Sequence, residues 1–150
     1  QEFATGLNIY TTTTGKLAFG VDWYTGSTAI KDAAIASASY AEDTVYFIAG
    51  TWDCSDKSLR LYINANIAAT KAHAAAGGIR TRLGYDVRIG GCTSFYTGSQ
   101  VWPSTSAASN GRWNGLIDDI RVYCGALSQS EITALYDAGP RNALMFSCNT

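Results

Sequence analysis

One stretch constrains this chain more than any other: Trp113 to Gly139, WNGLIDDIRVYCGALSQSEITALYDAG. Leu116, Ile120 and Val122 fall on one side of an extended segment, and Ile117, Asp119, Arg121 and Tyr123 on the other, the period-2 alternation of a β-strand. That parity puts Asp118 on the apolar side. After a turn, Ser128 is placed to cap a helix, Glu131 three positions on can close a capping box, and Ile132, Leu135 and Tyr136 form one apolar stripe. Gly139 and Pro140 stop it. The pattern predicts a strand followed by a short helix from Ser128 to Ala138.

A second block, Thr44 to Thr70 (TVYFIAGTWDCSDKSLRLYINANIAAT), carries two apolar runs around a polar turn. Together the blocks resemble the laminin-G-like, concanavalin A-like lectin jellyroll family. There a Gly-x-Ile-Asp-Asp strand leads into ALS-x-x-E-I and a final LY-x-A-G, and Thr-Tyr-Asp, a polar turn and LRLYVNG form a central hairpin. Here Trp52 and Asp53 stand at the Tyr-Asp positions, Leu59 to Asn64 match the second strand, and Asp86 to Gly91 (DVRIGG) resemble the next. Val45 stands where the family commonly has Trp. Ala65 with Asn66 replaces the Asn-Gly turn, so a connection wider than two residues is expected there. The resemblance covers Gly15 to Gly139. It implies an all-β fold, a jellyroll β-sandwich of two antiparallel sheets with one short C-terminal helix, as a single domain over residues 1–150.

Members of that family usually carry one or two further strands before the segment that here is Leu7 to Trp23, so the chain is expected to lack the family's first strand or strands. Conversely, Asn142 to Cys148 (NALMFSC) adds an apolar stretch beyond the family's usual end. Three arrangements stay open: this stretch fills the vacant slot, a neighbouring chain donates a strand, or the chain is a fragment of a larger protein.

Composition narrows the partners. A hydrophobic share of 47% with 12% aromatic residues is enough for one sizeable core. The net charge of −1 and the lack of any Lys/Arg run leave no electrostatic footprint for nucleic acid. Apolar runs are strand-sized, short of the roughly 18 residues a membrane helix needs, so no membrane insertion is expected. Two segments are weakly patterned, Asp32 to Ala41 and Ala68 to Gly78, the latter Ala-rich around the single His73. For the Ala-rich tract an irregular or strand-plus-loop reading is preferred to a helix, following the resemblance.

Four cysteines, Cys54, Cys92, Cys124 and Cys148, lack the C-x-x-C spacing of zinc or thioredoxin chemistry. Their even number suits two disulfides in an oxidising, extracellular or cell-surface compartment, each contributing roughly 3–4 kcal/mol by restricting the unfolded chain. If strands alternate up and down as the resemblance implies, Cys54 and Cys124 share one end of the sandwich and Cys92 lies at the other. The first choice among three pairings is then Cys54 with Cys124 and Cys92 with Cys148.

No catalytic constellation stands out. His73 alone cannot support a metal triad, and Asp118 and Asp119 are adjacent, so they point to opposite faces and cannot form the carboxylate pair of a glycosidase. The chain is therefore read as no enzyme. Asp118 has two readings: a Ca²⁺ ligand joined by backbone carbonyls and Asn114 or Asp53, as jellyroll relatives often carry, or a carboxylate held by backbone amides at the sandwich edge. Asp53 with Asp56 reads as a polar turn rather than a calcium loop.

Aromatic residues are the better lead, because sugars offer apolar C–H faces beside hydroxyls. Trp102, Trp52, Tyr96 and Trp113, with Arg82, are the candidate ligand contacts, each weighed against a place covering the rim of the core. Thr93 to Arg112 is too polar for core and is the expected contact loop, whereas Trp23, in step with Leu17, Phe19 and Val21, reads as core. The functional expectation is non-catalytic binding of a glycan or glycoprotein outside the cell, within a parent multidomain protein or alone. The competing expectation is a structural or assembly module, such as a fibre, surface-layer or virion-decoration subunit, whose sheet is completed by other copies of itself.

Overall fold

The computed structural model describes residues 2–12, 14–25, 28–72, 89 and 115–139. Six strands and one helix follow in order: β1 Glu2–Thr11, β2 Lys16–Thr25, β3 Thr28–Ser39, β4 Ile48–Asp53, β5 Ser58–Ile63, β6 Asn66–Ala72 and α1 Gln129–Asp137. The strands form two antiparallel three-stranded sheets, ordered β1-β2-β3 and β4-β5-β6. This is the expected all-β sandwich with its short helix.

Parity decides which side chains meet between the sheets. On β2, Leu17, Phe19 and Val21 are buried, and on β5 Leu59 and Leu61 are fully so. With Ala34 and Ala36 of β3 and Trp52 of β4 they make the main core cluster, with Ile48, Ile63, Ala68 and Ala69 packed around it. Each large apolar side chain so buried contributes about 1.5–3 kcal/mol. The facing β3 and β6 are Ala-rich, which is why they carried little pattern in the sequence. On β3, burial alternates through Ala34 and Ala36, with Ile35 facing out at 47% exposure. The tract is strand from Asn66 to Ala72, and its remainder, with His73, lies outside the described residues.

Two points fix the spacing and the rim. A Cβ built on Gly50 of β4 would overlap the Phe19 ring, so only glycine lets β2 and β4 approach this closely. At the β3/β6 rim, Lys71 Nζ lies 3.8 Å from Asp32 Oδ1, an ion pair between the sheets.

The β5–β6 hairpin departs from expectation. Ile63 pairs with Asn66, so the connection is only Asn64-Ala65, and both take left-handed backbone (φ 49° and 62°). That is the requirement of a type I′ turn, here met by Asn and Ala instead of Asn-Gly. Asn64 holds the turn by accepting a hydrogen bond on Oδ1 from the Phe47 amide (3.0 Å) and donating its own amide to the Phe47 carbonyl (2.9 Å).

The helix is as predicted. Ser128 is the N-cap, with the reciprocal Ser128–Glu131 capping box formed, and Gly139, at φ 67°, takes the left-handed position beyond the C-cap Ala138. Ile132 packs with Tyr62 and Ala65, beside Phe47, Ala49 and Leu127, in a second cluster on the outer face of the β4-β5-β6 sheet.

The strand expected over 116–123 is not formed. Asp119 adopts φ 52°, which breaks an extended path, and Leu116 and Val122 stand 98% and 56% exposed. The expected strand at Asp86 to Gly91 lies outside the described residues apart from Ile89, as does Asn142 to Cys148.

Replacing Gly50 with Ala is expected to destabilise the chain by about 1–3 kcal/mol through overpacking against Phe19, read as a lowered urea midpoint. Ser128→Ala removes the N-cap acceptor and is expected to cost about 1 kcal/mol in the same assay.

Candidate functional site

Trp52 has its place decided by strand parity. It shares a face with Ile48 and Gly50 of β4, and its ring is turned into the sandwich at 7% exposure. The rim-of-the-core alternative is thus where the structure puts it, not among solvent-facing rings. Trp102, Tyr96, Trp113 and Arg82 lie outside the described residues, as do Cys92 and Cys148.

Beyond Trp52 the chain turns through residues 54–57 into β5, and this turn is a closed polar network. Asp53 Oδ1 accepts from the Ser55 amide at 2.8 Å and the Ser55 hydroxyl at 2.6 Å. Asp56 Oδ1 accepts from the Ser58 hydroxyl at 2.6 Å, and its other oxygen pairs with the Arg60 guanidinium. Asp56 within the turn and Arg60 four positions on in β5 were the available signal for that pair. The Ser55 donors hold the Asp53 carboxyl below its usual range, and the Ser58 hydroxyl with Arg60 does the same for Asp56. A polar turn is what the residues form.

On the outer face of the same sheet, register places Thr51 beside Arg60 and Arg60 beside Thr70. Hydroxyl, guanidinium and hydroxyl thus stand in one cross-strand row next to the Asp56 carboxylate.

Asp118 is exposed, with Oδ1 accepting the Asp119 amide at 2.8 Å. It does not lie on a buried apolar strand face, so the cost of burial that motivated a cation is not incurred. Asp119 is instead the packed carboxylate: it receives Arg121 through Nε at 2.8 Å and the terminal nitrogen at 2.5 Å, a forked pair whose members are 12% and 19% exposed. Sequence parity put both on one side of the segment without indicating the pair. Among the described residues no three His, Cys, Asp or Glu side chains gather as a metal site.

Cys54 and Cys124 are both exposed, and no disulfide joins them. The parity argument for that bridge required Cys124 to follow a paired strand, and residues 116–123 do not form one. Among the described residues no helix is long and apolar enough to cross a membrane.

A laminin-G-type family model, described as the concanavalin A-like lectin/glucanases superfamily, matches residues 2–133. Among solved structures, the chain is similar to the S-layer domain-containing protein (residues 221–444) from Clostridium thermocellum ATCC 27405. The identity is 16% and the TM-score 0.47, over 87% of this chain and 63% of that one. The chain thus spans less than two thirds of that structure. No curated protein matches it.

The turn makes a pH prediction. Carboxyls with depressed folded pKa add stability that is present above their unfolded value, about 4, and lost as pH falls through the folded value. The urea midpoint is therefore expected to drop as pH falls below about 4. A double Asp53→Asn, Asp56→Asn variant should show a shallower drop over the same range.

Proposed function

The chain belongs to the concanavalin A-like lectin/glucanase superfamily, and from that premise we propose that it is a non-catalytic binding module for a glycan or glycoprotein outside the cell. What carries the reading is the state of the described carboxylates. Asp53 and Asp56 are tied into a turn, Glu131 into a helix cap, Asp119 to Arg121 and Asp32 to Lys71. Every described carboxyl whose pKa departs from its ordinary value moves down, through hydrogen bonds to its ionised form. Glycoside hydrolysis asks for the opposite, one carboxyl held protonated by a raised pKa and facing a second across the scissile bond. Asp53, Asp56 and Glu131 are thus held in their charged form by their hydrogen bonds, and Asp119 and Asp32 each face a cation.

Recognition then falls to the aromatic, hydroxyl-rich stretch of the chain. Trp102, Tyr96 and Trp113 supply ring faces for the C–H faces of a sugar, and Arg82 supplies donors for its hydroxyls. Each stacked ring is worth about 0.5–1.5 kcal/mol beyond the area it buries, so affinity per site is modest. Trp52 is left out of this set because of its burial.

Glycan-array screening followed by calorimetric titration tests the reading. Trp102→Ala is expected to weaken binding roughly three- to tenfold, the equivalent of one stacked ring, with an unchanged circular dichroism spectrum. Trp52→Ala is instead expected to lower stability by about 3–5 kcal/mol. Undiminished binding by the Trp102 variant removes the loop from the site, and reducing ends released from polysaccharide by the parent chain overturn the non-catalytic reading. Ca²⁺ enters the same titration: affinity that falls with EDTA, returns with Ca²⁺, and loses this response in Asp118→Asn assigns the ion to Asp118.

A further inference from the structure

Among the described strands β1 is hydrogen-bonded to β2 alone and so ends its sheet. A strand in that position presents a row of backbone N–H and C=O groups, a ready template for another strand, and proteins blunt such rows with charge, proline or shortness. Of the four strands that end a sheet here, β3 carries Lys31 and Asp32, β4 carries Asp53 and β6 carries Lys71. β1 is ten residues long, and its charge is confined to Glu2, its first residue. From Phe3 to Gly15 the sequence holds no charged residue and no proline.

The side chains along this edge are apolar where they could meet a partner. Leu7 pairs with Val21 and Ile9 with Phe19, so both belong to the core-facing side of the sheet. The sheets meet where β2 lies over β5 and β3 over β5 and β6, and β1 is one strand further out. Val21 and Phe19 are 0% and 3% exposed, whereas Leu7 and Ile9 stand 46% and 51% exposed. Asn8 and Tyr10, paired with Gly20 and Ala18, alternate onto the opposite side and are half-buried. The register with β2 shifts between Ala4 and Gly6, and from Gly6 to Thr11 the edge is regular.

We propose that β1 is a self-association edge, pairing antiparallel with β1 of a second copy about a twofold axis at Asn8. A twofold contact repeats every pair in both directions, and residues paired across antiparallel strands share a face of the sheet. Centred on Asn8, Leu7 of each copy faces Ile9 of the other, and Tyr10 of each faces Gly6. Centring on Leu7 would set Ile9 against Thr5, and centring on Ile9 would set Leu7 against Thr11. A centre between two residues would set core-facing positions against outward ones. The Asn8 register alone brings all four exposed apolar side chains together in pairs, and with no charge along the edge nothing in it repels its own copy. The two sheets become one, ordered β3-β2-β1-β1-β2-β3. A single strand pair falls short of the roughly 1,200–2,000 Å² of a standard stable interface, so the dimer is weak and set by concentration.

Sedimentation of the full chain from about 1 µM to about 1 mM, with hydrogen exchange at both ends of that range, tests this. The expected result is a monomer that becomes a dimer as concentration rises, with the amides of residues 6–10 gaining protection in step. Asn8→Lys places two like charges opposite each other on the axis and should weaken association roughly five- to tenfold, with the urea midpoint little changed. The register has its own check: Leu7→Glu and Ile9→Lys variants should each associate less than the parent, and mixing them should restore dimer, because Glu then faces Lys. Four results overturn the proposal: a monomer at every concentration, an oligomer indifferent to Asn8→Lys, a mixture that associates no better than its components, or residues 6–10 equally protected in the dilute monomer. Sugar binding is read separately, so failure here leaves the glycan reading standing and failure there leaves this one.

Discussion

The closeness of the two sheets rests on one contact, the Phe19 ring seated on Gly50. Because glycine presents no Cβ, the ring can lie against the β4 backbone, and β2 comes down far enough for Leu17 and Val21 to join Leu59 and Leu61 in a single cluster. Any side chain at position 50 would hold the sheets apart and leave voids along that cluster, where dispersion contacts fall off steeply with distance.

The helix does for the outer face what Phe19 does for the inner one. It ties the β5–β6 turn through Gln129, fills the space over Tyr62 with Ile132, and reaches the entrance of β4 through Tyr136. Asn64 completes the arrangement from below by bonding to both backbone groups of Phe47. The end of the sheet is therefore held by side chains drawn from four parts of the sequence, while at the opposite end Asp53, Ser55, Asp56, Ser58 and Arg60 bond among themselves within one turn.

What could be read from the sequence was whatever carried a strong period or a specific cap. The apolar alternation of Leu17, Phe19 and Val21 located β2, Leu59 and Leu61 located β5, and Ser128 with Glu131 located the helix to within a residue. Alanine hid the rest: Ala34 and Ala36 are core residues whose side chains differ little from their exposed neighbours, so β3 and β6 emerged only from the sheets facing them. Asp119 misled differently. Its neighbours alternate as a strand should, but a left-handed backbone angle at one residue cancels the pattern, and no propensity announces it. Asn64-Ala65 was misread because Ala stands where the type I′ turn favours glycine, and the contacts of Ala65 with Tyr62 and Ile132 accompany that less favourable choice. Of the site, the polar turn was legible and the burial of Trp52 was not, since a tryptophan at the end of a strand is compatible with either face.

Each sheet is assembled from three consecutive strands, β1-β2-β3 and then β4-β5-β6, so strand pairing within it joins only near neighbours in the chain. Closing such short loops is entropically cheap, and folding rates rise as contacts become more local. Strand pairing within each described meander is therefore the local, entropically cheap part of the fold, and the contact of Phe19 with Gly50, which joins one meander to the other, is the long-range part.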